Sequence, residues 1–567
     1  MNEITNISEW LTWFFSTENI QRIFTYNPGE PLIFTGFYFW AFFAIVLAFY
    51  SIIHKKRALR NAFLFLVSLF FYYKTSGLFI SILLFSTLCD YTIGWLIYSS
   101  NKKIYQQLFL ATSVFINLFV LCYFKYAYFF TDAFNTFFQT DYEVFNHFAH
   151  WTNEYADTHF SVNKILLPVG VSFYTFQTIS YAVDVYRKEI KPVKSMLDFG
   201  FYVSFFPQLV AGPIVRAADF IPQLYKPYQL SKYNFGLALF WILKGLTKKV
   251  IIGDYIAVNF IDRIFDNPAM FTGFENLMAL YGYSLQVYAD FSGYTDMAIG
   301  IALLMGFTLP KNFNSPYKAQ NVGEFWKRWH ISLSGWLKDY LYIPLGGNRG
   351  GSVGTWIALI FISAFIIMLS GKMIVFYGFI WTALLITFLA IWIKSFRAWL
   401  TTNINLLITM LLGGLWHGAS WQFVIWGGLN GLGLIVYKLW RKISPYEKYD
   451  NAIGIVIKVL VTFNFITFTR IWFRAENMES TWQIMSQIGT NFNAALIPEI
   501  LVSYRNVFSM MLIGFVIHWL PVKVKDWYRE AFIKLPLAVK IIVAALTVFC
   551  VYQAMSSELQ AFIYFQF

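Results

Sequence analysis

The residue best suited to chemistry in this sequence is His417, because it lies within a long stretch that carries no charged side chain. Residues 406–437 contain no Asp, Glu, Lys or Arg, and a stretch of this length can cross a bilayer. An ionisable group at membrane depth is energetically costly, so this histidine is a candidate for proton transfer. Small residues beside it allow another backbone or a substrate to approach closely: Gly413, Gly414, Gly418 and Ala419. The alternative is a buried histidine that binds a carbonyl group of a neighbouring helix.

A second histidine, His330, lies in the most charged part of the second half of the chain, residues 311–352. Six Lys or Arg residues stand there against two acidic residues, which predicts a cytoplasmic location. Asn321 and Glu324 match a capping box at a helix start. Apolar residues then recur at helical spacing: Val322, Phe325, Trp326, Trp329, Leu333, Trp336, Leu337 and Tyr340. We therefore predict one interfacial helix with His330 at the edge of its apolar face, a position equally compatible with a functional and an interfacial histidine.

Other polar and aromatic residues are candidates for donor or substrate binding. Arg349 and Asn348 lie among glycines, where a guanidinium and backbone N–H groups can hold a phosphate; the alternative is a turn with an exposed arginine. The further candidates are Trp326, Trp416, Tyr288, Asp290, Asp296 and Asp339. Pairing of the aspartates with Lys or Arg at a helix end is an equally good interpretation.

Composition identifies the class of protein that must position these residues. Of the 567 residues, 58% are hydrophobic and only 13% are charged, whereas soluble domains average about 25% charged residues. The apolar runs are continuous rather than alternating, which excludes an outer-membrane barrel and predicts an all-α polytopic integral membrane protein. Lys and Arg in cytoplasmic loops account for the net charge of +13, so no nucleic-acid partner is expected. Cys89, Cys122 and Cys550 show no metal-ligand spacing, and no metal site is predicted.

The distribution of charge predicts the topology of the first part of the chain. The first span, residues 31–53, ends at a basic cluster in residues 54–60, which places the N-terminus outside without a cleaved signal peptide. The loop 131–163 carries acidic residues and no Lys or Arg, so it is predicted outside. Its histidines are interpreted as solvated residues: His147, His150 and His159.

About 11–13 transmembrane helices are predicted from the apolar runs. The later spans are 61–73, 76–98, 104–130, an apolar stretch that ends at 187, 236–258, 278–308, 354–372, 375–395, 406–437, 453–473, 506–521 and 537–555. Residues 201–213 are too short to span and contain Pro and Gly, which predicts a re-entrant segment. Residues 474–505 are predicted as an interfacial insert. No internal repeat typical of transporters is present.

Both histidines belong to a series of motifs that continues along the chain. The motifs are LPVGVSFYTFQTISYAVDVYR (167–187), FFPQLVAGPIVR (205–216), YADFSGYTDMAIG (288–300), NFNSPYKAQNVGEFWKRWHISLSGWLKDYLYIPLGGNRGG (312–351), LLGGLWHGASWQFVIWGGLNG (411–431) and the terminal FIYFQF (562–567). Together they resemble the membrane-bound O-acyltransferase (MBOAT) family, and within it the bacterial polysaccharide branch typified by the membrane subunit of alginate O-acetylation. The resemblance covers roughly residues 30–567.

The resemblance implies a single MBOAT-type transmembrane domain with re-entrant and interfacial helices around a central tunnel. Its parts are expected to be N-terminal helices in 31–195, a catalytic core in 196–440, and C-terminal helices with the insert in 441–567. It also implies a multi-pass protein of the bacterial inner membrane. An acyl group would be taken from a cytoplasmic thioester, acetyl-CoA or an acyl carrier protein, without a bound cofactor. The implied partners are a periplasmic acetyltransferase protein and a polysaccharide acceptor such as alginate.

The two signature histidines of the family map to His330 in RWHISLS and His417 in LWHGAS. By this resemblance His417 is the catalytic base and His330 binds or orients the donor thioester. The chemistry agrees, since attack of an alcohol on a thioester needs a base and histidine has an unperturbed pKa of about 6.5. Burial disfavours the imidazolium form, so His417 is expected to be neutral and able to accept a proton. Alternatives are D-alanyl transfer to teichoic acid or peptidoglycan O-acetylation by the same fold, and a proton-coupled transporter.

Overall fold

The computed structural model describes residues 23–27, 29, 31–156, 161–210, 212–370, 372–448 and 451–554. Within these ranges the chain forms helices, turns and irregular segments and no strand, which confirms the all-α prediction. The N-terminal residues, His159 and the terminal FIYFQF, on which parts of the sequence interpretation rest, lie outside the described residues.

The first half of the chain forms twelve helices in the described ranges. They are α1 (Phe37–Ile53), α2 (Arg57–Ser76), α3 (Ile80–Ser99), α4 (Lys103–Leu121), α5 (Ala127–Phe138), α6 (His147–Ala156), α7 (Val171–Tyr186), α8 (Met196–Ser204), α9 (Phe206–Leu209), α10 (Ala217–Leu224), α11 (Lys232–Leu246) and α12 (Asp262–Asp266). Three π-helical segments continue these helices: Cys122–Tyr126 between α4 and α5, and Thr247–Asp254 and Ala257–Ile261 after α11.

The second half continues with thirteen helices in the described ranges. They are α13 (Gly273–Leu304), α14 (Val322–Arg328), α15 (Ile331–Trp336), α16 (Val353–Ser370), α17 (Met373–Trp392), α18 (Lys394–His417), α19 (Trp421–Ile443), α20 (Ala452–Arg474), α21 (Met478–Thr490), α22 (Ile497–Ser503), α23 (Arg505–Trp519), α24 (Val522–Lys534) and α25 (Leu537–Ala554). A π-helical segment, Leu337–Tyr342, follows α15.

The chain divides into two compact units that alternate along the sequence. Of the described residues, those up to Leu118 and those in 168–230 and 305–307 form unit 1, and those in 119–167, 231–304 and 308–554 form unit 2. The predicted three-part subdivision follows the order of the chain, whereas each of these units gathers separate stretches of it.

Unit 1 has a fully buried polar network that joins α3, α4 and α7. Asp90 accepts hydrogen bonds from Ser113 Oγ (2.5 Å) and Asn117 Nδ2 (2.8 Å), and Asn117 Oδ1 accepts from Ser86 Oγ and Thr178 Oγ1. Buried polar groups need such partners, because an unsatisfied group in an apolar interior costs about 1–3 kcal/mol. The network accounts for the polar side chains that interrupt these apolar helices.

Unit 2 contains both predicted site histidines and is built around α13, whose 32 residues form one long helix as predicted from the run 278–308. Gly245 and Gly293 let α11 and α13 approach closely, since a Cβ on Gly245 would overlap with the carbonyl oxygen of Gly293. This close approach of helices through glycine is typical of membrane proteins.

The predicted single span 406–437 is wrong, because the chain turns back directly after His417. Helix α18 ends at His417 and α19 begins at Trp421, with Gly418 and Ser420 in extended conformations. A Cβ on Gly414 would overlap with the Phe423 carbonyl oxygen, so the glycines lie in the tightly packed contact between the two helices. His417 therefore lies at the turn of a hairpin and not in the middle of one helix.

The single interfacial helix predicted in residues 311–352 is also wrong. Two short helices, α14 and α15, are separated at His330, and a π-helical segment replaces the predicted final turns. The start was predicted correctly, since Asn321 Oδ1 accepts a hydrogen bond from Glu324 N (2.8 Å). The apolar spacing indicated one helix because periodicity reports neighbours along the chain and not the distant contacts that break it.

Six helices in the described residues are long and apolar enough to cross a membrane, or seven if a bent pair at residues 494–519 forms one span. Three shorter apolar helices are also present, at Phe37–Ile53, Val353–Ala364 and Met373–Leu385. The protein is therefore an integral membrane protein. Fewer helices qualify by length and hydropathy than the 11–13 predicted. One reason is that long helices such as α13 carry several acidic residues.

Candidate active site

His417 ends α18 and is 3% exposed. Aromatic rings surround its imidazole: Trp426 at 5.1 Å and Phe473 at 5.3 Å between ring centroids, both edge to face, and Trp416 at 4.9 Å. Trp426 lies on α19, Phe473 on α20 and Trp416 on α18. The imidazole thus lies in an apolar, aromatic environment, where the neutral ring is favoured over imidazolium.

His330 lies at the break between α14 and α15 in a left-handed conformation, with φ 43° and ψ 57°. Left-handed backbone is costly for a residue with a Cβ and persists only where the surroundings enforce it. Asn312 enforces it here: its carbonyl oxygen accepts from Ile331 N (2.9 Å), and its Oδ1 accepts from Ser332 N (3.1 Å) and Ser332 Oγ (2.9 Å). Strained residues of this kind cluster at functional sites.

The two histidines meet at Trp416, although they lie on different segments. The Trp416 ring is 5.9 Å from the His330 ring and 4.9 Å from the His417 ring. Phe291 on α13 packs edge to face on His330 at 4.6 Å. His330 lies outside the candidate membrane-spanning helices and is fully buried. Burial lowers the pKa of its imidazole to about 3, so the ring is neutral at physiological pH.

A small cavity of about 10 Å³ adjoins the imidazole of His417. Its lining residues include Trp426, Asn430, Phe473, Trp329 and Arg470. Arg470 is 4% exposed, and its guanidinium stacks over the Trp329 ring at 4.7 Å. The pocket therefore brings aromatic side chains and one buried arginine next to the imidazole of His417.

Two of the aromatic candidates predicted from the sequence belong to this site. Trp416 lies between the histidines, and Trp326 packs edge to face on Trp426 at 5.7 Å. The two candidates at the glycine-rich end of residues 311–352 do not lie among these aromatic rings. Asn348 and Arg349 are exposed, and Asn348 Oδ1 accepts a hydrogen bond from the Tyr342 hydroxyl.

The polar candidates on α13, and Asp339, have other surroundings. Asp290 forms an ion pair with Lys249 (2.5 Å), which is the structural pairing considered as the alternative. Asp296 pairs with Lys248 (2.7 Å), and Tyr288 packs on His518 at 4.5 Å rather than on either site histidine. Asp339 lies in the π-helical segment after α15 and is partly buried.

Sequence reasoning missed Lys125, which lies in the π-helical segment after α4. Its ammonium donates to the carbonyl oxygens of Trp416 (2.6 Å) and His417 (3.1 Å), and the neighbouring Tyr126 hydroxyl donates to Leu415 O (2.8 Å). A cation at a helix C-terminus satisfies the last carbonyls and complements the helix dipole. The signal was present, since a lysine inside the apolar run 104–130 is itself costly.

We expect Lys125→Met to lower kcat about tenfold, because hydrogen bonds to a charged group contribute about 1.5–3 kcal/mol and here hold the end of α18. Acyl transfer by purified protein, measured as kcat and donor KM separately, tests this. The matched control is Lys102→Met, which removes an exposed lysine just before α4. Equal kcat values in the two variants would show that Lys125 does not position His417.

The arrangement is suited to proton transfer in a place sheltered from water. Two neutral imidazoles, joined by one indole and reached by an aromatic pocket, can accept and return a proton while a neutral substrate reacts beside them. Aromatic rings pack against both imidazoles, which keeps water away from them.

Comparison with known proteins agrees with this geometry. Residues 104–398 match the model of the MBOAT, membrane-bound O-acyltransferase family. The chain is 33% identical to a peptidoglycan O-acetyltransferase of Helicobacter pylori over 83% of this chain and 82% of that protein. It is 35% identical to a probable alginate O-acetylase of Pseudomonas aeruginosa over 79% and 72%. A teichoic acid D-alanyltransferase of Bacillus subtilis is 28% identical over 55% of this chain and 69% of its own length.

Proposed function

The chain belongs to the membrane-bound O-acyltransferase family and is an O-acyltransferase, and from this premise we propose that it transfers an acetyl group from acetyl-CoA for the O-acetylation of an exported polysaccharide such as alginate. The observation that carries the proposal is the meeting of two buried histidines at Trp416 beside an aromatic pocket. A neutral, sheltered base is what attack of a hydroxyl on a thioester requires.

The acetyl group as cargo is supported by the relatives. The two proteins named as O-acetyl-transferring enzymes match about four fifths of this chain at 33–35% identity, whereas the D-alanyltransferase matches 55% of it at 28%. An acetyl thioester also suits the aromatic walls around His417, which offer no carboxylate to hold the ammonium group of a D-alanyl ester in the described residues.

In the proposed reaction His417 accepts the proton of the acceptor hydroxyl, and the hydroxyl oxygen attacks the carbonyl carbon of the thioester. The new C–O bond forms, the C–S bond breaks, and the same proton passes from the imidazole to the departing thiolate, which leaves as the free thiol of CoA. Such positioned base catalysis contributes typically about 10²–10⁴-fold. His330, neutral and held by the Asn312 turn, orients the donor on the other side of Trp416.

The ends of the α18–α19 hairpin support transfer from the cytoplasm to the outer side. Arg397 lies near the start of α18, and Arg441 and Lys442 lie at the end of α19, so the basic ends share one side and the His417 turn lies at the other. By the positive-inside rule the basic ends face the cytoplasm. This supports a location of His417 towards the outer face, and we propose a bacterial inner membrane with the N-terminus outside.

The acceptor belongs to the outer side, where a periplasmic acetyltransferase partner would complete delivery to the glycan. Peptidoglycan is a second candidate acceptor, favoured by the Helicobacter pylori relative, whose name specifies it and which matches 83% of this chain. Membership in an acyltransferase family speaks against the proton-coupled transporter considered from the sequence.

The proposal is tested with inverted membrane vesicles that contain the protein and receive either acetyl-CoA or a D-alanyl carrier protein, each labelled in the acyl group. We expect alkali-labile acetyl label in the exported polysaccharide fraction and no D-alanyl label. Label confined to peptidoglycan would identify the second acceptor, and D-alanyl incorporation alone would overturn the proposed cargo.

A further inference from the structure

Four lysines from three separate segments gather in unit 2. This lysine cluster consists of Lys244, Lys248, Lys318 and Lys525, from α11, the π-helical segment after it, the loop before α14, and α24. Burial and the positive charges of the three other members lower the pKa of Lys525 to about 8. The contacts show that these side chains lie close together: Lys244 and Lys248 reach the same oxygen of Asp296, and Lys525 and Lys318 donate to the carbonyl oxygens of His518 (2.6 Å) and Leu520 (2.6 Å). The Tyr288 ring lies 5.2 Å from the Lys248 ammonium and 4.5 Å from the His518 ring.

The lysine cluster is not balanced by acidic side chains. Asp296 is 2.7 Å from Lys248 and 3.2 Å from Lys244 through the same carboxylate oxygen. Lys525 donates to His518 O (2.6 Å) and Ser315 Oγ, and Lys318 donates to Leu520 O, which are neutral acceptors. Among the described contacts, two of the four lysines thus share one carboxylate, and the other two donate to neutral oxygen atoms. Partly buried charges of one sign repel strongly, so an anion is expected between them.

A buried polar atom independently marks the same place. His518 is 3% exposed, and its Nε2 accepts a hydrogen bond from Tyr317 N (3.2 Å), while no partner is recorded for Nδ1 among the described residues. Members of the lysine cluster act electrostatically on this ring. An unpartnered ring nitrogen beside excess positive charge indicates a site for a ligand that carries oxygen atoms.

Aromatic and polar side chains connect the lysine cluster to the pocket at His417. A lysine ammonium of the cluster lies 5.2 Å from the Tyr288 ring, and Tyr288 contacts the Tyr317 ring at 5.8 Å. The Tyr317 hydroxyl is hydrogen-bonded to Arg470, which stacks on Trp329 and lines the pocket together with His417. Side chains in direct contact therefore join the lysine cluster to the residues that line the pocket at His417.

We propose that the lysine cluster binds the phosphate groups of the acyl donor, a pantetheine thioester of the CoA type. This inference rests on the proposed function, which requires a cytoplasmic thioester. Such donors carry phosphates at one end and the thioester at the end of a flexible arm. Lysine ammonium groups bind phosphate as point charges.

The test measures binding of free pantetheine, 4′-phosphopantetheine and CoA to purified protein in nanodiscs of neutral lipid. In the wild type we expect affinity to rise at least tenfold from pantetheine to CoA. In Lys525→Gln this phosphate-dependent gain is expected to fall at least fivefold, while Lys525→Arg retains it. The matched control is Lys534→Gln, which removes an exposed lysine from the same helix α24.

Two outcomes overturn the inference. One is an equal phosphate-dependent gain in Lys525→Gln and Lys534→Gln, with both variants as stable to heating as the wild type. The other is unchanged CoA affinity together with weaker binding of anionic lipid in Lys525→Gln, which would assign the cluster to a lipid headgroup. Failure of the proposed function would look different, because the wild type would bind CoA through the cluster and yet transfer no acetyl group from acetyl-CoA.

Discussion

His417→Ala is expected to lower acetyl transfer by about 10²–10⁴-fold, the range typical of a positioned general base. The alanine removes the imidazole from a site walled by Trp426, Phe473 and Trp416, and with it the base that the proposed reaction uses. The acetyl ester content of exported polysaccharide, normalised to the amount of protein in the membrane, measures the effect.

The matched control for this prediction is His150→Ala, which removes a histidine with a half-exposed side chain (53%) from α6. The control should keep wild-type ester content. Ester content unchanged in His417→Ala, at normal protein level, would contradict a catalytic role. A packing role alone would instead reduce protein level and ester content together, because a large-to-small change in a buried site lowers stability.

Lys249→Met is expected to lower the free energy of unfolding by about 3–5 kcal/mol, the cost of removing one partner of a buried ion pair. Lys249 is 2% exposed and pairs with Asp254 (2.7 Å) and with Asp290 (2.5 Å). Methionine leaves both carboxylates in the interior without their cation. Thermal unfolding of purified protein in detergent, followed by tryptophan fluorescence, is the measurement.

Two variants make this stability prediction specific. Lys232→Met removes an exposed lysine at the start of α11 and should unfold at the wild-type temperature. Asp290→Asn should destabilise less than Lys249→Met, because a one-to-one pair between Lys249 and Asp254 remains. A larger loss of stability in Asp290→Asn than in Lys249→Met would argue that Asp290 contributes to stability in a way other than through this ion pair. A large loss of kcat in a stable Asp290→Asn variant would restore Asp290 as a site candidate.

Several of these residues were recognisable in the sequence for local reasons. His417 was found because a lone ionisable group in an uncharged run is costly, and α13, α16 and α17 were predicted because long apolar runs form helices where they can be buried or face lipid. Asn321 was predicted as a helix start since a cap involves only residues three positions apart. Each of these inferences depends on near neighbours along the chain.

The same reasoning failed where distant segments decide the backbone. The break at His330 depends on Asn312 in another loop, and the turn after His417 accompanies the tight packing of α18 on α19 through glycines. Lys125 lies far from His417 in sequence and reaches its carbonyl only in the folded chain. Spacing along a chain carries no information on which helix lies beside which.

What the sequence by itself determined is therefore the class of the protein, an all-α membrane protein, whereas His330 and His417 were predicted as its site histidines with the help of the family resemblance. Only the tertiary structure decided that the histidines meet at Trp416, that Asp290 belongs to an ion pair, and that lysines from separate segments gather near His518. The physical reason is that hydrophobicity and helix capping act over a few residues, whereas strained turns, ion pairs and clusters of like charge exist only when separate segments pack against one another.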